Sequence, residues 1–553
     1  MLKAGAAAGV TAAAGAATVA GGVAGATPAA ARETSPAGDL VLHNGKIHTM
    51  DRRNTVAKAV AVRDGRITTV GGNLEALLRA FPGPGRPEVI NLRGRTVIPG
   101  IIDNHNHIVL MGNRPGRHTP LENAYSIADV QRTYRDRAAD VPDGEFITTI
   151  GGFHFNQFEE VRLPTLAELD AAVPDHPAYI SISFAGPSVT NSRGKAFFEQ
   201  ADDPVTVGAD GSIAAGAETG KATLALRKTL TFEQRKRAVL DAMAYATSMG
   251  VTTHLDQGAF QATGTPSDGA AHEDNHSMHL PFLAIYNEGK ATVRLRINFL
   301  HMETDPELPD LNQRLANAFP FFGNDMVRTG GIGEFIAAGL GDTWLDAARR
   351  VAEAGWRAEV HSLTTTDFQT EIQGYEAVHA QIPITDLRWV VAHVPFITED
   401  YVDRLKAVGG GVNLTGWKYL SGTSGNAGPP FRMIVDNGIP AGMSSDGMQI
   451  APMNPFIHAY YAVTGKNALG DVINDGQQIT RTELLHLYTS RNPWFLGHDD
   501  EDQLGTIEVG KLGDLVVLNH DYFTIPEDDL RQVRPVMTVL GGRIVHDTGE
   551  LSH

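Results

Sequence analysis

The sequence predicts an α/β protein built on a (β/α)₈ TIM-like barrel, with an inserted subdomain and a small β domain contributed by both chain ends. Three observations predict this architecture. Eight short apolar runs alternate with helical stretches between residues 97 and 503. A block at about 113–230 separates the first two runs and has strands of its own. Similar β runs lie near the two ends of the chain.

Composition limits the classes of partner that the protein can have. The 553 residues are 42% apolar, which is enough for a large core. The formal charge is −18, and nucleic acids and anionic membranes both require a basic face, so neither is expected as the main partner. The chain has no cysteine, which excludes a thiolate nucleophile and a Cys-ligated metal. Any metal must therefore be bound by His, Asp, Glu or a modified Lys.

Residues 1–31 predict an export signal and not a folded element. The stretch is rich in alanine and too weakly apolar for a stable membrane insertion. Ala29, Ala30 and Ala31 form a small-residue cleavage site of the signal-peptide type. Leu2 and Lys3 resemble the end of a twin-arginine motif whose arginines are absent, so we expect a start codon upstream of Met1. The protein is then periplasmic or secreted. The alternative is a disordered extension on a cytoplasmic protein.

The two ends of the chain predict one composite β domain, formed by residues 36–96 and 504–553. Asn44-Gly45 and Asp64-Gly65 are hairpin-turn dipeptides between short β runs. The runs that begin at Asp514 and Val539 have the same character. Because these segments are alike and distant in sequence, we expect them to form one small β domain into which the remaining 97–503 is inserted.

The central region predicts eight parallel strands and the helices between them. Two helices begin with capping boxes, at Thr231 and at Thr480. The inserted block at about 113–230 holds separate strands and forms a subdomain. The predicted barrel strands lie near residues 97–107, 250–256, 293–299, 330–336, 357–361, 388–393, 410–414 and 440–446.

Metal-binding side chains recur at the carboxyl ends of these predicted strands. His105 and His107 are two residues apart, so both imidazoles point to the same side of the first strand. His361, His393 and Asp446 each end a later strand. Active sites of such barrels lie on this face. The pattern predicts a rim of His and Asp ligands around one metal centre.

These segments resemble the amidohydrolase superfamily, and within it amidohydrolase family 3, the YtcJ-like metal-dependent hydrolases. The resemblance covers nearly everything after residue 38. It implies a (β/α)₈ barrel, a composite β-sandwich from both termini, and one or two divalent metals, commonly zinc. The segments that carry it are 99–107, 162–174, 250–253, 444–447 and 504–518.

The resemblance also assigns ligands. It implies that His105 and His107 bind one metal, that His361 and His393 are the ligands from strands five and six, and that Asp446 binds metal and moves protons. Binuclear members often carry a carboxylated Lys on strand four, and that position aligns with a glycine beside Glu334. Either Glu334 bridges two metals through a small register shift, or the site holds one metal.

The predicted activity is hydrolysis of a C–N bond in a small amide, an N-acyl or N-formyl amine or a cyclic amide. Metal-activated water attacks, and Asp446 carries the proton to the leaving nitrogen. Asp446 and His361 are the predicted catalytic residues. The residues predicted to contact substrate are His154, Asp256, Asn413 and Lys418.

Two alternatives stay open at this point. A single-metal deaminase or a metal-dependent lyase could use the same scaffold, since the strand-four Lys is missing. An exported protein that binds a metal or a small molecule without turnover is the alternative from another class. The substrate and a homo-oligomeric state are not predicted by the sequence.

Overall fold

The computed structural model describes residues 38–82, 86–258, 278–448 and 450–551. The predicted export signal and most of the loop after the second predicted barrel strand lie outside the described residues. Among the described helices, none has the length and apolarity needed to cross a membrane. The α/β class is confirmed.

The strands, in chain order, are β1 Leu40–His48, β2 Val56–Arg63, β3 Arg66–Val70, β4 Glu88–Asn91, β5 Thr96–Pro99, β6 Ile101–Asn106, β7 Arg117–His118, β8 Ile147–Ile150, β9 Ala178–Ser181, β10 Ser188–Thr190, β11 Ser212–Ile213, β12 Val251–Asp256, β13 Arg294–Phe299, β14 Val327–Ile332, β15 Glu359–Ser362, β16 Val390–His393, β17 Gly411–Thr415, β18 Ala441–Ser444, β19 Leu515–Leu518, β20 Pro535–Leu540 and β21 Arg543–Asp547.

The α-helices are α1 Leu74–Leu78, α2 Ile108–Gly112, α3 Ile127–Ala138, α4 Leu166–Ala172, α5 Ser192–Glu199, α6 Ala217–Arg227, α7 Phe232–Ser248, α8 Leu280–Asn287, α9 Pro309–Asn317, α10 Asp342–Glu353, α11 Thr365–His379, α12 Glu399–Ala407, α13 Lys418–Ser421, α14 Phe431–Asn437, α15 Pro455–Thr464, α16 Arg481–Tyr488 and α17 His498–Glu501. Short 3₁₀ turns cover Phe155–Gln157, Thr385–Leu387, Asn492–Phe495 and Glu527–Gln532.

The strands from the two ends of the chain form one eight-stranded sheet. Its order is β21-β20-β19-β5-β1-β2-β3, and β4 also pairs with β1. β5 lies between β1 and β19, so it joins the first strands of the chain to the last ones. Aliphatic side chains of both segments, such as Leu42 and Val517, share one buried cluster. The segments from the two chain ends therefore share one sheet and one apolar cluster.

The central region contains eight parallel strands in two sheets. The first sheet has the order β14-β13-β12-β6, and the second sheet has the order β15-β16-β17-β18. All pairings within both sheets are parallel, and each of the eight predicted strands overlaps one of these strands. Helices between successive strands pack around one large apolar cluster.

The helix starts follow the capping signals of the sequence. Thr231 accepts a bond from the backbone N–H of Gln234, whose side chain reaches back, and Thr480 and Glu483 do the same for α16. α7 then ends before Gly250, whose φ of +82° suits the glycine of a left-handed C-terminal turn. The inserted block forms its own sheet in the order β11-β10-β9-β8-β7.

Candidate metal centre

The first two candidate ligands come from β6 and the residue just after it. His105 lies in β6 and His107 directly follows the strand, so both imidazoles lie on the same side, as their spacing predicts. The side chains are 0% and 1% exposed. The backbone N–H of His107 donates to Gly447 O at 2.7 Å, and its Nδ1 lies 2.8 Å from Gly258 O. A carbonyl partner at Nδ1 leaves Nε2 as the ligand atom.

A bulge in β14 determines which residue of strand four faces the site. Ile297 pairs with Thr329, but Phe299 pairs with Ile332, so β14 has one extra residue against β13. Such an insertion reverses the side to which later residues point. Glu334 therefore faces the histidines. It takes the place of the carboxylated Lys of binuclear members, which by sequence aligns with Gly333. A Cβ at Gly333 would lie 2.5 Å from the Glu359 carbonyl oxygen, which explains the glycine there.

The second sheet contributes the other three candidate ligands at its strand ends. His361 is the third residue of β15, His393 is the last residue of β16, and Asp446 follows β18 by two residues. His393 and Asp446 have left-handed backbones, with φ of 68° and 56°. Non-glycine residues adopt this region at an energetic cost, and such residues cluster at functional sites. The Asp446 N–H donates to His105 O at 2.9 Å, which ties this end to β6.

The five predicted side chains and Glu334 converge on one buried point. Glu334 Oε2 lies 3.0 Å from His105 Nε2, 3.1 Å from His361 Nδ1 and 3.4 Å from His393 Nε2. Glu334 Oε1 lies 3.6 Å from His107 Nε2, and Asp446 Oδ1 lies 3.3 Å from the same nitrogen. The His361 side chain is 24% exposed and forms the open side of the cluster.

The arrangement of these atoms fits metal ligands better than a hydrogen-bonded core. His105 Nε2 and Glu334 Oε1 are buried and make no hydrogen bond of acceptable geometry. His361 Nδ1 and His393 Nε2 point at each other across 3.0 Å. Among the described residues, three sets can each hold an ion: His105, His107 and Glu334; Glu334, His361 and His393; His105, His393 and Asp446.

The electrostatics of the cluster favour a cation. Burial alone would lower the pKa of His105, but Glu334 and Glu359 raise it well above the usual value. Burial would raise the pKa of Glu334 and of Asp446, yet the surrounding histidines lower both. Two ionised carboxylates are thus held among imidazoles in a site shielded from water. The negative charge of these carboxylates stabilises a divalent metal ion. Without the ion, the same charge increases the proton affinity of the histidines.

Glu359 is a residue that the sequence analysis missed. Its Oε1 lies 2.6 Å from His105 Nδ1 and also accepts from Asn413 Nδ2. Its Oε2 accepts from Arg357 Nη2. Burial would raise the pKa of Glu359, but Arg357 and His105 lower it. The available signal was the two-residue spacing of Glu359 and His361 on one strand, which places both on the same side.

Asp103 fixes the loop that carries Asp446. It precedes His105 by two residues, and its carboxylate accepts from the Ser445 N–H at 2.9 Å and from the Ser445 hydroxyl. Burial raises the pKa of Asp103, although these bonds oppose the shift. Asp103 and Glu359 therefore lie in the layer below the metal centre. Asp103 holds the loop of Asp446, and Glu359 holds the ring of His105.

Two of the predicted substrate contacts are fully buried and bonded to protein groups. The carboxylate of Asp256 accepts from the backbone N–H groups of Val109 and Gly258 at 3.0 and 2.9 Å. Asn413 is 0% exposed and donates to Glu359. Both side chains are thus engaged in positioning their neighbours.

Of the other two predicted contacts, Lys418 follows β17 and His154 follows β8 of the inserted sheet. Lys418 begins α13, donates to Asn426 Oδ1, and lies over the Trp417 ring with its Nζ 4.4 Å from the centroid. Burial lowers the pKa of Lys418. His154 caps the turn Phe155–Gln157, and its neighbour Asn156 donates to Leu420 O at 3.2 Å, so the insert reaches α13.

Comparisons with known proteins identify the family of the chain. Residues 88–546 match the model of a family described as the amidohydrolase family. The chain is 24% identical to N-substituted formamide deformylase of Arthrobacter pascens, over 91% of this chain and 97% of that protein. It is 22% identical to the putative amidohydrolase YtcJ of Bacillus subtilis (strain 168), over 92% and 99% of the two chains.

The fold of the chain also matches that of a hydrolase whose structure has been solved. The crystal structure of atrazine chlorohydrolase TrzN from Arthrobacter aurescens TC1, complexed with zinc, superposes with a TM-score of 0.55. The superposition covers 92% of this chain and 95% of that one, with 14% sequence identity. The two chains therefore share their fold across nearly their whole length.

Proposed function

This chain belongs to the amidohydrolase family, as a metal-dependent hydrolase of non-peptide C–N bonds, and we propose that it cleaves a small N-formyl or N-acyl amine at a centre of two zinc ions. The substrate class follows the relative named for N-substituted formamides. Zinc follows the structural neighbour that was crystallised with it. The number of ions follows the arrangement of Glu334.

The observation that carries the proposal is the place of Glu334 in two ligand sets. One set joins Glu334 to His105 and His107, and the other joins it to His361 and His393. Its two oxygens face different histidines, since Oε1 is nearest to His107 and Oε2 is nearest to His105 and His361. Oε2 thus lies near a histidine of each set, and Oε1 lies near His107 of the first set. A carboxylate placed between the two sets is suited to bridge two ions, as a carboxylated Lys does in binuclear relatives.

We propose that His105, His107 and Asp446 hold one ion, that His361 and His393 hold the other, and that Glu334 contacts both. When bound, such ions supply Lewis acidity, which acidifies water and polarises a carbonyl oxygen. Neutral imidazoles preserve the positive charge of the ions. The chain also keeps bulk water away, because five of these six side chains are almost completely buried.

Asp446 is the proposed proton carrier. Its pKa is lowered by His393 and His107 against the opposing effect of burial, so its carboxylate is ionised and can accept a proton. It takes the proton from the attacking water and delivers it to the leaving nitrogen. The bonds to Ser445 and His105 O hold this loop in place during both steps. His361, on the open side of the cluster, is the side chain best placed to contact the substrate carbonyl.

The architecture around the site is proposed to be a closed (β/α)₈ barrel. Two backbone bonds support closure: Ile332 N to Arg357 O at 2.9 Å joins the first sheet to the second, and Asp446 N to His105 O joins the second to the first. We propose the division into a β-sandwich of 36–96 and 504–553 and a barrel of 97–503, with the insert at about 113–230. Residues 97–99 pair within the sheet of the chain ends and so mark the junction of the two domains. We also propose export directed by residues 1–31.

A single-metal enzyme is the second candidate. His105, His393 and Asp446 form one set with a single shared centre, and that set needs no bridging carboxylate. A deaminase or a lyase with one ion would use these three ligands, and Glu334 would then accept hydrogen bonds from the neighbouring histidines. Metal stoichiometry separates the two candidates.

The test combines metal analysis with a substrate screen. Purified protein is assayed for metal content per chain and for hydrolysis of N-formyl amines, N-acyl amines and lactams. We expect about two zinc ions per chain and release of the amine from an N-formyl or N-acyl substrate. Asp528→Asn serves as the control, because Asp528 is a surface residue paired with Lys466. One ion per chain with deamination or elimination products would favour the second candidate, and no metal would contradict both.

A further inference from the structure

We propose that Glu359 is the positioning residue for His105, and that it holds the imidazole with Nδ1 protonated so that Nε2 is presented to the metal. The inference rests on the metal centre of the proposed function. Glu359 is 0% exposed and belongs to none of the three ligand sets found among the described residues. Its effect on the centre is therefore exerted through His105.

The contacts of Glu359 account for the whole of its carboxylate. Oε1 receives the His105 and Asn413 donors, and Oε2 receives Arg357, with Asn298 Nδ2 at 3.4 Å. An ionised carboxylate can only accept hydrogen bonds, so the imidazole must donate from Nδ1 at 2.6 Å. The opposite nitrogen, Nε2, then carries the lone pair and faces Glu334 at 3.0 Å.

The placement of Glu359 follows from the period of β15. Arg357, Glu359 and His361 are spaced by two residues, so their side chains lie on the same side in successive layers. His361 lies in the ligand layer, Glu359 lies below it beside His105, and Arg357 contacts Glu359 from beneath. Both Arg357 and Glu359 are at most 1% exposed. The carboxylate of this buried pair places a negative charge directly behind the metal ligand His105.

This charge has two effects on the centre. It fixes the tautomer and the orientation of His105, so that no reorganisation is needed when the ion binds. It also makes Nε2 a stronger donor, because the carboxylate stabilises positive charge on the ring. Loss of such a partner typically weakens metal affinity about 10–100-fold.

A second buried pair provides a matched comparison. Arg296 Nε and Nη2 bind Asp500 Oδ2 and Oδ1 at 2.7 and 2.8 Å, and both residues are at most 1% exposed. This pair resembles Arg357–Glu359 in chemistry and burial, but neither member belongs to a candidate ligand set or bonds to one of its members in the described residues. It controls for the general cost of removing a buried charge.

The experiment measures metal affinity and coordination in the full-length protein. Zn²⁺ dissociation constants are obtained by chelator competition, and Co²⁺-substituted protein is examined by its visible absorption. The variants are Glu359→Gln and Asp500→Asn. Because Glu359→Gln leaves Arg357 without its partner, the double variant Arg357→Met/Glu359→Gln removes both charges and preserves the measurement if the single variant does not fold.

We expect the Zn²⁺ dissociation constant of Glu359→Gln, or of the double variant, to rise about 10–100-fold, with shifted Co²⁺ bands. Asp500→Asn should lower the melting temperature and leave both metal readouts at wild-type values. Wild-type affinity and spectrum in the Glu359 variants would overturn the inference while leaving the proposed function intact. An equal rise in both single variants would also overturn it. If the wild-type protein bound no Zn²⁺, the proposed metal centre itself would be wrong.

Discussion

The two parallel sheets deliver their ligands in different ways. The second sheet is regular, without a register shift among its four strands, and its ligands lie in or just beyond the strand ends. The first sheet has shifts between β6 and β12 and between β13 and β14. Its carboxylate, Glu334, faces the centre because of the β14 bulge. In regular strands, the residues that face the site can thus be predicted from their spacing in the sequence. A bulge shifts the residue that faces the site by one position.

The largest effect is expected at the regular sheet. Asp446→Asn removes the proton carrier but keeps a side chain of similar size, so turnover should fall about 10²–10⁴-fold. Steady-state kinetics on the N-formyl or N-acyl substrate found in the screen measure this. Near wild-type kcat would contradict the role of Asp446, and with it the assignment of chemistry to the second sheet.

The corresponding change in the irregular sheet should affect metal content first. Glu334→Gln removes the charge shared by both ligand sets, and we expect metal content to fall from about two ions per chain to about one, with a loss of activity. Elemental analysis after dialysis measures the content. Two ions retained in the variant would show that the bulge does not place a bridging ligand.

The bulge itself can be tested with a smaller change. In Gly333→Ala, the added Cβ meets the Glu359 carbonyl at 2.5 Å, so β14 must shift away from β15 at this point. We expect weaker metal binding and a loss of about 1–3 kcal/mol in unfolding free energy. Gly220→Ala in α6 is the control, because its Cβ would meet nothing within 4 Å and alanine favours the helix. Equal stability of the two variants would argue against tight packing at the bulge.

Sequence reasoning succeeded where ligand position follows from strand position. His361, His393 and Asp446 were located from the ends of apolar runs, and the structure brings them together with His105 and His107. Glu334 was predicted only as one of two alternatives, because the extra residue of β14 depends on its pairing with β13 and leaves no clear local signal.

The layer below the centre was beyond sequence reasoning for another reason. Glu359 contacts groups from β6, β13 and β17, which are far apart in the chain. A charged residue within a predicted strand does not reveal which distant side chains neutralise it. For the same reason, the sequence did not predict that Asn413, which was assigned to substrate binding, donates to Glu359.

The smallest effect on turnover is expected outside both sheets, at Glu122. Its carboxylate accepts from Met453 N at 2.6 Å and from the Tyr245 hydroxyl, and so joins the loop after β18 to α7. Burial raises its pKa from 4.5 to about 7. The folded state then holds its proton more tightly than the unfolded state between these values, so stability falls as pH rises through that window.

Glu122→Gln should remove this part of the pH dependence. Chemical denaturation between pH 4.5 and 7 should show a decrease for the wild type, on the order of 3 kcal/mol at most, and a flatter profile for the variant. Metal content should be the same in both proteins. A wild-type profile in the variant would assign the dependence to another group.

The most direct measurement of the central claim is a crystal structure of the zinc-loaded protein with anomalous difference maps at the zinc edge. We predict two peaks per chain, one among His105, His107 and Asp446 and one beside His361 and His393, with Glu334 in contact with both. A single peak away from Glu334, or no peak among these side chains, would contradict the claim that a bulged strand and a regular sheet together build one binuclear centre.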